Sequence, residues 1–273
     1  MQTIDLEYDI YPIPRYGYGK PVHEKLYEII NNNRDAYRKH LNSFLKYKTD
    51  LTTISNVVDN DSDSKNIEPT WANLYFSGLD AIALYGFLCE YNPVRYFEIG
   101  SGNSTKFARR AIKDHNLDTI ITSIDPFPRA EVDIICDNII RQPVENVNID
   151  IFNSLKSGDI LFIDGTHRLF MNSDVSTIFL DIIPNLRPGV IVHMHDIFLP
   201  FDYPSEWIQR YYSEQYMLAI YLLSGGGKID IILPNNFISN DDELNKIMSN
   251  IFSTDDMTMT NVKGVSCWFV IRN

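Results

Sequence analysis

The chain has 273 residues, 44% hydrophobic and 12% aromatic, enough for a substantial core in one large domain or a domain with an extension. A formal net charge of −12 and a pI of about 4.9 argue against a nucleic-acid partner, whose phosphates call for a basic surface, and against an anionic membrane. No apolar run approaches the about 20 residues that span a bilayer, so no membrane association is expected.

The N-terminus, MQTIDLEYDIYPIPRYGYG, lacks the basic-then-apolar order of a signal peptide. Three cysteines, Cys89, Cys136 and Cys267, sit among apolar neighbours with no CxxC pair, as free thiols of a reducing compartment do. Together these features point to a cytoplasmic protein. From Glu24 to about Tyr47 apolar residues recur with helical spacing (Leu26, Ile29, Ile30, Tyr37, Leu41, Phe44, Leu45). Residues 48–70 turn polar, with Asp59, Asp61 and Asp63 close together, and read as a solvated loop. A second helix is predicted from Pro69 to about Glu90. Residues 1–68 are thus read as a helical extension with a polar loop, and 69–273 as the main domain.

After Pro93 short β-rich runs alternate with helical patterns. Strands are predicted at 94–98, 119–124, 139–142, 159–163 and 189–194, with helices near 104–114, 128–138, 149–156 and 172–183. Val175, Ile178, Phe179, Ile182 and Ile183 mark one face of the last helix. A long helix at 205–223 ends at Gly225-Gly226-Gly227, and strands at 228–233 and 265–271 close the chain. Strand–helix alternation implies an α/β, doubly wound, mostly parallel sheet covered on both faces.

The first strand runs into EIGSGNST at 98–105. In such a sheet, ligands sit beyond the carboxyl ends of the strands. Gly100 and Gly102 let the backbone bend and approach a ligand, and Ser104 or Thr105 can cap the following helix, whose free N–H groups attract anions. The second strand ends in Asp125, placed to accept hydrogen bonds from a ribose diol. A nicotinamide dinucleotide would want a third glycine where Thr105 stands, and would be repelled by Glu98. An acid suits the ammonium of an amino acid, and a ligand with both a ribose and an α-amino acid is S-adenosylmethionine.

EIGSG, Asp125, IDGTHR at 163–168 and HMHDIF at 193–198, in that order, resemble the signatures of class I S-adenosylmethionine-dependent methyltransferases. The nearest resemblance is to the methyltransferase-24-like group and related small-molecule O-methyltransferases. The resemblance covers roughly residues 70–273. It implies a seven-stranded sheet of order 3-2-1-4-5-7-6 with S-adenosylmethionine as cofactor. Glu98, Gly100, Ser101, Gly102 and Asn103 would hold the methionine end, Asp125 and Pro126 the ribose, with Asp164 beside them. Gln142 and Glu145 both remain open as adenine contacts.

Asp164 and His167 follow the fourth strand; His195 and Asp196 end the fifth. A hydroxyl acceptor is a weak nucleophile until its proton leaves or a metal lowers its pKa. The resemblance implies Asp164, His195 and Asp196 as ligands of a divalent ion. His195, where relatives often carry Asp, shifts the preference from Mg²⁺ towards Mn, Fe or Zn. Without metal, His167 or His195 would serve as general base, beside Asp196. His193 reads as a packed strand residue. The aromatic loop 198–204 is the candidate acceptor contact, and RYGYGKPVH at 15–23 is either a lid or an arm on a second subunit of a homo-oligomer. The leading expectation is O-methylation of a small-molecule acceptor, saccharide or natural-product-like. A metal-dependent hydroxylase-like relative and a non-catalytic cofactor-binding protein are the alternatives.

Overall fold

The computed structural model describes all residues except 1–6, 58–65, 74, 77, 129–130, 226, 253–261 and 273; of 250–252 only the backbone is described. The expected Asp59, Asp61 and Asp63 loop and Gly226 therefore lie outside the described residues. Seven strands form one sheet: β1 (Arg95–Ile99), β2 (Ile120–Ile124), β3 (Asn138–Ile140), β4 (Ile160–Ile163), β5 (Ile191–Met194), β6 (Ile229–Pro234) and β7 (Cys267–Ile271). Their order is β3-β2-β1-β4-β5-β7-β6. The first five run parallel; β7 pairs antiparallel with both β5 and β6. The central strands are buried on both faces, as a covered parallel sheet requires: all four residues of β4 and of β5 are buried.

The helices follow the predicted periodicity where tertiary contacts allow. The first predicted helix divides into α1 (Glu24–Asn31) and α2 (Arg34–Phe44), parted where the Asn33 side-chain amide donates to the Ile231 carbonyl at 2.7 Å. A one-turn helix, α3 (Lys48–Thr52), occupies the start of the segment read as loop. The predicted 69–90 helix is formed only as α4 (Leu79–Tyr91). Ahead of it Asn73 folds the chain back on itself: its carboxamide accepts from Phe76 N at 2.7 Å and donates to the Thr70 and Phe76 carbonyls, a side-chain-driven turn that competes with helix. α4 is buried from Leu79 to Leu88, a central helix that is apolar nearly all round.

Helix α5 (Asn103–His115) follows β1 as expected and buries Phe107, Ala108, Ala111 and Ile112. The predicted 128–138 helix is a single 3-10 turn at Asp133–Ile135, because Asp137 is drawn to the sheet, where its carboxylate accepts from Ile121 N at 2.8 Å. The 149–156 helix is likewise 3-10, over Ile149–Ser154. At 172–183, α6 (Asp174–Thr177) widens into a π turn and ends in a 3-10 turn containing Pro184, whose missing N–H closes regular helix.

The predicted 205–223 helix is broken in two: a 3-10 segment at Ser205–Arg210, then Tyr211 in the left-handed region, then α7 (Glu214–Leu223). Two helices missed by the sequence reading, α8 (Asn235–Ser239) and α9 (Asp242–Phe252), lie between β6 and β7. Residues of α1 to α3 share one continuous apolar core with α4, α5 and the sheet. Among the described residues no helix is long and apolar enough to cross a membrane.

Candidate active site

The glycine loop is shaped by what lies beneath it. Gly100 has φ +82°, and a Cβ there would sit 1.9 Å from the Asp164 carbonyl oxygen, so the position admits glycine alone on two counts. Gly102 is different: its backbone is extended and a Cβ would meet nothing within 4 Å, so its bareness keeps space open rather than relieving strain. Under the loop lies Glu98, fully buried. Its carboxylate accepts from the hydroxyls of Tyr96 (2.9 Å), Ser104 (2.6 Å) and Thr105. Thr105 also accepts from Gly102 N at 3.0 Å. Burial pushes the Glu98 carboxyl up to about 7, against the opposing pull of those hydroxyls. Glu98 therefore does not line the cavity as a partner for an ammonium group; it pins the loop to α5 from inside. Thr105, which departs from the dinucleotide pattern, is one of its pins.

Above the loop opens a cavity of about 450 Å³ at the divergence of β1 and β4, the switch point of the sheet. Gly100, Ser101, Gly102, Asn103, Asp125, Pro126 and Asp164 all line it. The Asp125 carboxylate accepts from Ser101 N (2.8 Å) and Phe127 N (2.7 Å), one bond on each oxygen, leaving lone pairs for a diol. Glu145 lines the same cavity, whereas Gln142 is exposed away from it. Asn73, Tyr75 and Phe76, from the turn before α4, and the exposed Phe127 complete the wall. The sequence reading missed these four; the signal available was Asn73 as a turn former inside an otherwise helical pattern.

Asp164 connects this cavity to a buried cluster of acids and imidazoles. Its side chain is 25% exposed, yet its Oδ1 lies 3.1 Å from His167 Nε2 and 3.6 Å from His195 Nδ1. Asp196 reaches the same atoms, 3.3 Å from His167 Nε2 and 3.2 Å from His195 Nδ1. His167 Nδ1 meets Glu214 at 2.8 Å. Burial alone would raise the Asp164 carboxyl, but His195 and His167 hold it well below the usual carboxylate range. Burial would also discharge both imidazoles, yet their carboxylates win, Asp164 and Glu214 leading at His167, Asp164 and Asp196 at His195. Both rings are held protonated well above the ordinary histidine range. His193 is the opposite case. It is fully buried and stacked 4.0 Å from Phe162, and burial together with the charge on His195 pushes it down to about 3. It is the neutral packed residue the sequence suggested.

His167 (φ +62°) and Asp196 (φ +56°) both hold left-handed backbone, a conformation that costs a non-glycine residue about 1–2 kcal/mol. His167 is fixed by its carbonyl, which accepts from Ser213 N (2.8 Å) and Glu214 N (3.1 Å). That contact starts α7 at Glu214 and breaks the long predicted helix. Glu214 went unrecognised because an unbroken helix would have placed it as one more surface acid.

Asp164, His195 and Asp196 each offer a ligand atom, all within 4.8 Å of one another. Two carboxylates and one imidazole, in a cluster where acids outnumber imidazoles, fit a divalent ion of the Mn, Fe or Zn kind. The 198–204 loop and the 15–23 arm, the expected acceptor contacts, engage each other. Asp202 accepts from Arg15 N at 2.5 Å and Tyr16 N at 3.2 Å, and its carbonyl takes the Tyr18 hydroxyl at 3.0 Å. A Cβ on Gly17 would sit 2.6 Å from the Phe201 ring. Phe198, Leu199, Asp202 and Tyr203 are buried, and neither segment lines the 450 Å³ cavity. The wall on that side comes from Ala72, Asn73, Tyr75 and Phe76 instead.

Residues 97–197 match the methyltransferase-24 family, Methyltransf_24, described as a methyltransferase domain. An uncharacterised protein of Archaeoglobus fulgidus is 35% identical over 94 residues, which span 32% of this chain and 42% of that relative, less than half its length. Among solved structures, that of the Podospora anserina methyltransferase PaMTH1 bound to S-adenosylhomocysteine aligns over 79% of this chain and 93% of that one. The sequence identity is 16% and the TM-score 0.41. Over residues 97–197, then, the chain is similar to the methyltransferase-24 family.

Proposed function

We propose that the protein transfers a methyl group from S-adenosylmethionine to an oxygen of a small hydroxylated molecule. One observation carries this reading: Asp164 is at once a wall of the cofactor-sized cavity and the direct partner of His167 and His195. A cofactor in the cavity and an acceptor over the cluster would therefore be neighbours. The cofactor supplies an electrophilic methyl on a sulfonium, whose leaving group is a neutral thioether. Gly100, Ser101, Gly102 and Asn103 hold its amino-acid end, Asp125 its ribose and Glu145 its base.

The acceptor needs a group to take its proton. His167 is assigned that role once an ion engages Asp164 and Asp196 and frees its Nε2, with Glu214 holding Nδ1; a positioned base contributes on the order of 10²–10⁴-fold. A divalent ion held by Asp164, His195 and Asp196 would lower the hydroxyl pKa and engage two of the three carboxylates that otherwise keep His167 protonated. The donor set has one imidazole and two carboxylates, unlike the two-imidazole, one-carboxylate set of oxygen-activating iron sites, which favours methyl transfer over hydroxylation.

The test is transfer of radiolabelled methyl from S-adenosylmethionine to a panel of sugars, catechols and phenols, with Mn²⁺ and with EDTA. Label in an ether product, lost at least 100-fold in His167→Ala, is expected. Full turnover in His167→Ala, or label only on nitrogen or carbon acceptors added to the panel, refutes the assignment.

A further inference from the structure

His195 has two nitrogens with different surroundings. Nδ1 faces Asp196 at 3.2 Å and Asp164 at 3.6 Å, on the cavity side. Nε2 points the other way, into the protein, where it makes no hydrogen bond among the described residues but lies 3.6 Å from Oδ2 of Asp80. Asp80 stands in the first turn of α4 and is 2% exposed. Its position is tightly set. Oδ1 accepts from the Ser266 hydroxyl (2.6 Å) and the Asn235 amide (2.9 Å), and Val265 N donates to Oδ2 at 2.8 Å. Oδ2 thus keeps acceptor capacity on the side that faces the ring.

A metal-binding imidazole must present a bare nitrogen, and which nitrogen is bare depends on where the other one finds an acceptor. A ring with nothing behind it can turn over or move its hydrogen to the ligand side. We propose that Asp80 is the positioning residue of His195: its buried carboxylate keeps the hydrogen on Nε2, so that Nδ1 is the face offered beside Asp164 and Asp196. The proposal rests on the reading of those three residues as a metal-binding set. It assigns a part in the site to α4, the helix ahead of the glycine loop.

Asp80→Asn keeps size and shape while replacing the acceptor that faces Nε2 with an amide able to donate to it. Mn²⁺ binding is read from the electron paramagnetic resonance of the free ion, S-adenosylhomocysteine binding by calorimetry, and the hydrogen on His195 by long-range ¹H–¹⁵N correlation in the metal-free protein, with pH raised until the ring is neutral. The wild type is expected to carry a hydrogen on Nε2. The variant is expected to lose it and to bind Mn²⁺ about 10–100-fold more weakly, with S-adenosylhomocysteine affinity unchanged.

His195→Asp supplies a second arm. There Asp80 faces another acid, so adding Asp80→Asn should strengthen Mn²⁺ binding, a reversal of sign that loss of packing does not produce. Unchanged Mn²⁺ affinity and an unchanged His195 spectrum in Asp80→Asn, even with lowered stability, would make Asp80 structural only and overturn the proposal. So would a wild-type ring with its hydrogen on Nδ1 alone, a result that needs no folded variant. Failure of the wild type to bind Mn²⁺ would instead sink the metal reading, leaving the nitrogen spectra to decide the role of Asp80.

Discussion

Glu98→Gln isolates one buried carboxyl whose effect on stability has a definite sign. The Glu98 carboxyl is raised from 4.5 to about 7 in the folded protein, because burial outweighs three hydroxyl donors. A raised acid binds its proton more tightly when folded, so its contribution to stability is fully present below the unfolded pKa and is lost as pH rises through the folded one. Between pH 5 and pH 8 the two titration curves differ by about 2.5 kcal/mol, at 1.36 kcal/mol for each unit of separation. Glutamine carries no such proton, and the hydroxyls of Tyr96, Ser104 and Thr105 can each rotate to donate to its oxygen or accept from its amide. Urea unfolding of both proteins at pH 5, 6, 7 and 8 is the assay. The wild type should lose about 2.5 kcal/mol relative to Glu98→Gln across that range, with the difference concentrated between pH 5 and 7. Parallel curves for the two proteins would show that Glu98 stays ionised under the loop, and the claim that burial outweighs its hydroxyl donors would fail.

Gly100→Ala should lower unfolding free energy by about 3 kcal/mol or more, because positive φ is compounded by overlap with the Asp164 carbonyl; urea denaturation reads it directly. Asp125→Ala removes the acceptor of Ser101 N–H and of a ligand diol, and should weaken S-adenosylhomocysteine binding about 10–100-fold by calorimetry. Glu214→Gln should reduce kcat about 100-fold while leaving S-adenosylhomocysteine affinity within about 2-fold, since Glu214 touches His167 and does not line the cavity.

Much of this fold was legible because burial leaves regular marks. The five parallel strands are short β-branched runs, and β1, β2, β4 and β5 appear within two residues of where composition put them. The glycine loop and Asp125 were legible for the same reason: they are local, sequential features at strand ends. Breaks caused by distant partners were not. Asn73 and Asn33 turn the chain through side-chain bonds to backbone, the second of them to a carbonyl on β6. Glu214 lies 47 residues from His167, and Asp80 lies 115 residues from His195; neither spacing carries any periodic signal. Glu98 was misjudged in direction rather than importance. Its acid was assigned to a ligand, whereas Ser104 and Thr105, across the glycine loop at the start of α5, donate to it.

The central claim, that the 450 Å³ cavity above the glycine loop receives the sulfur nucleotide, is best tested by titrating S-adenosylhomocysteine into the wild type and into Gly102→Leu. A Cβ at Gly102 meets nothing within 4 Å, so the variant should fold with an unchanged melting midpoint, yet lose at least 10-fold in affinity as leucine fills the space. Equal binding by both proteins, or binding of a nicotinamide dinucleotide in place of S-adenosylhomocysteine, would contradict it.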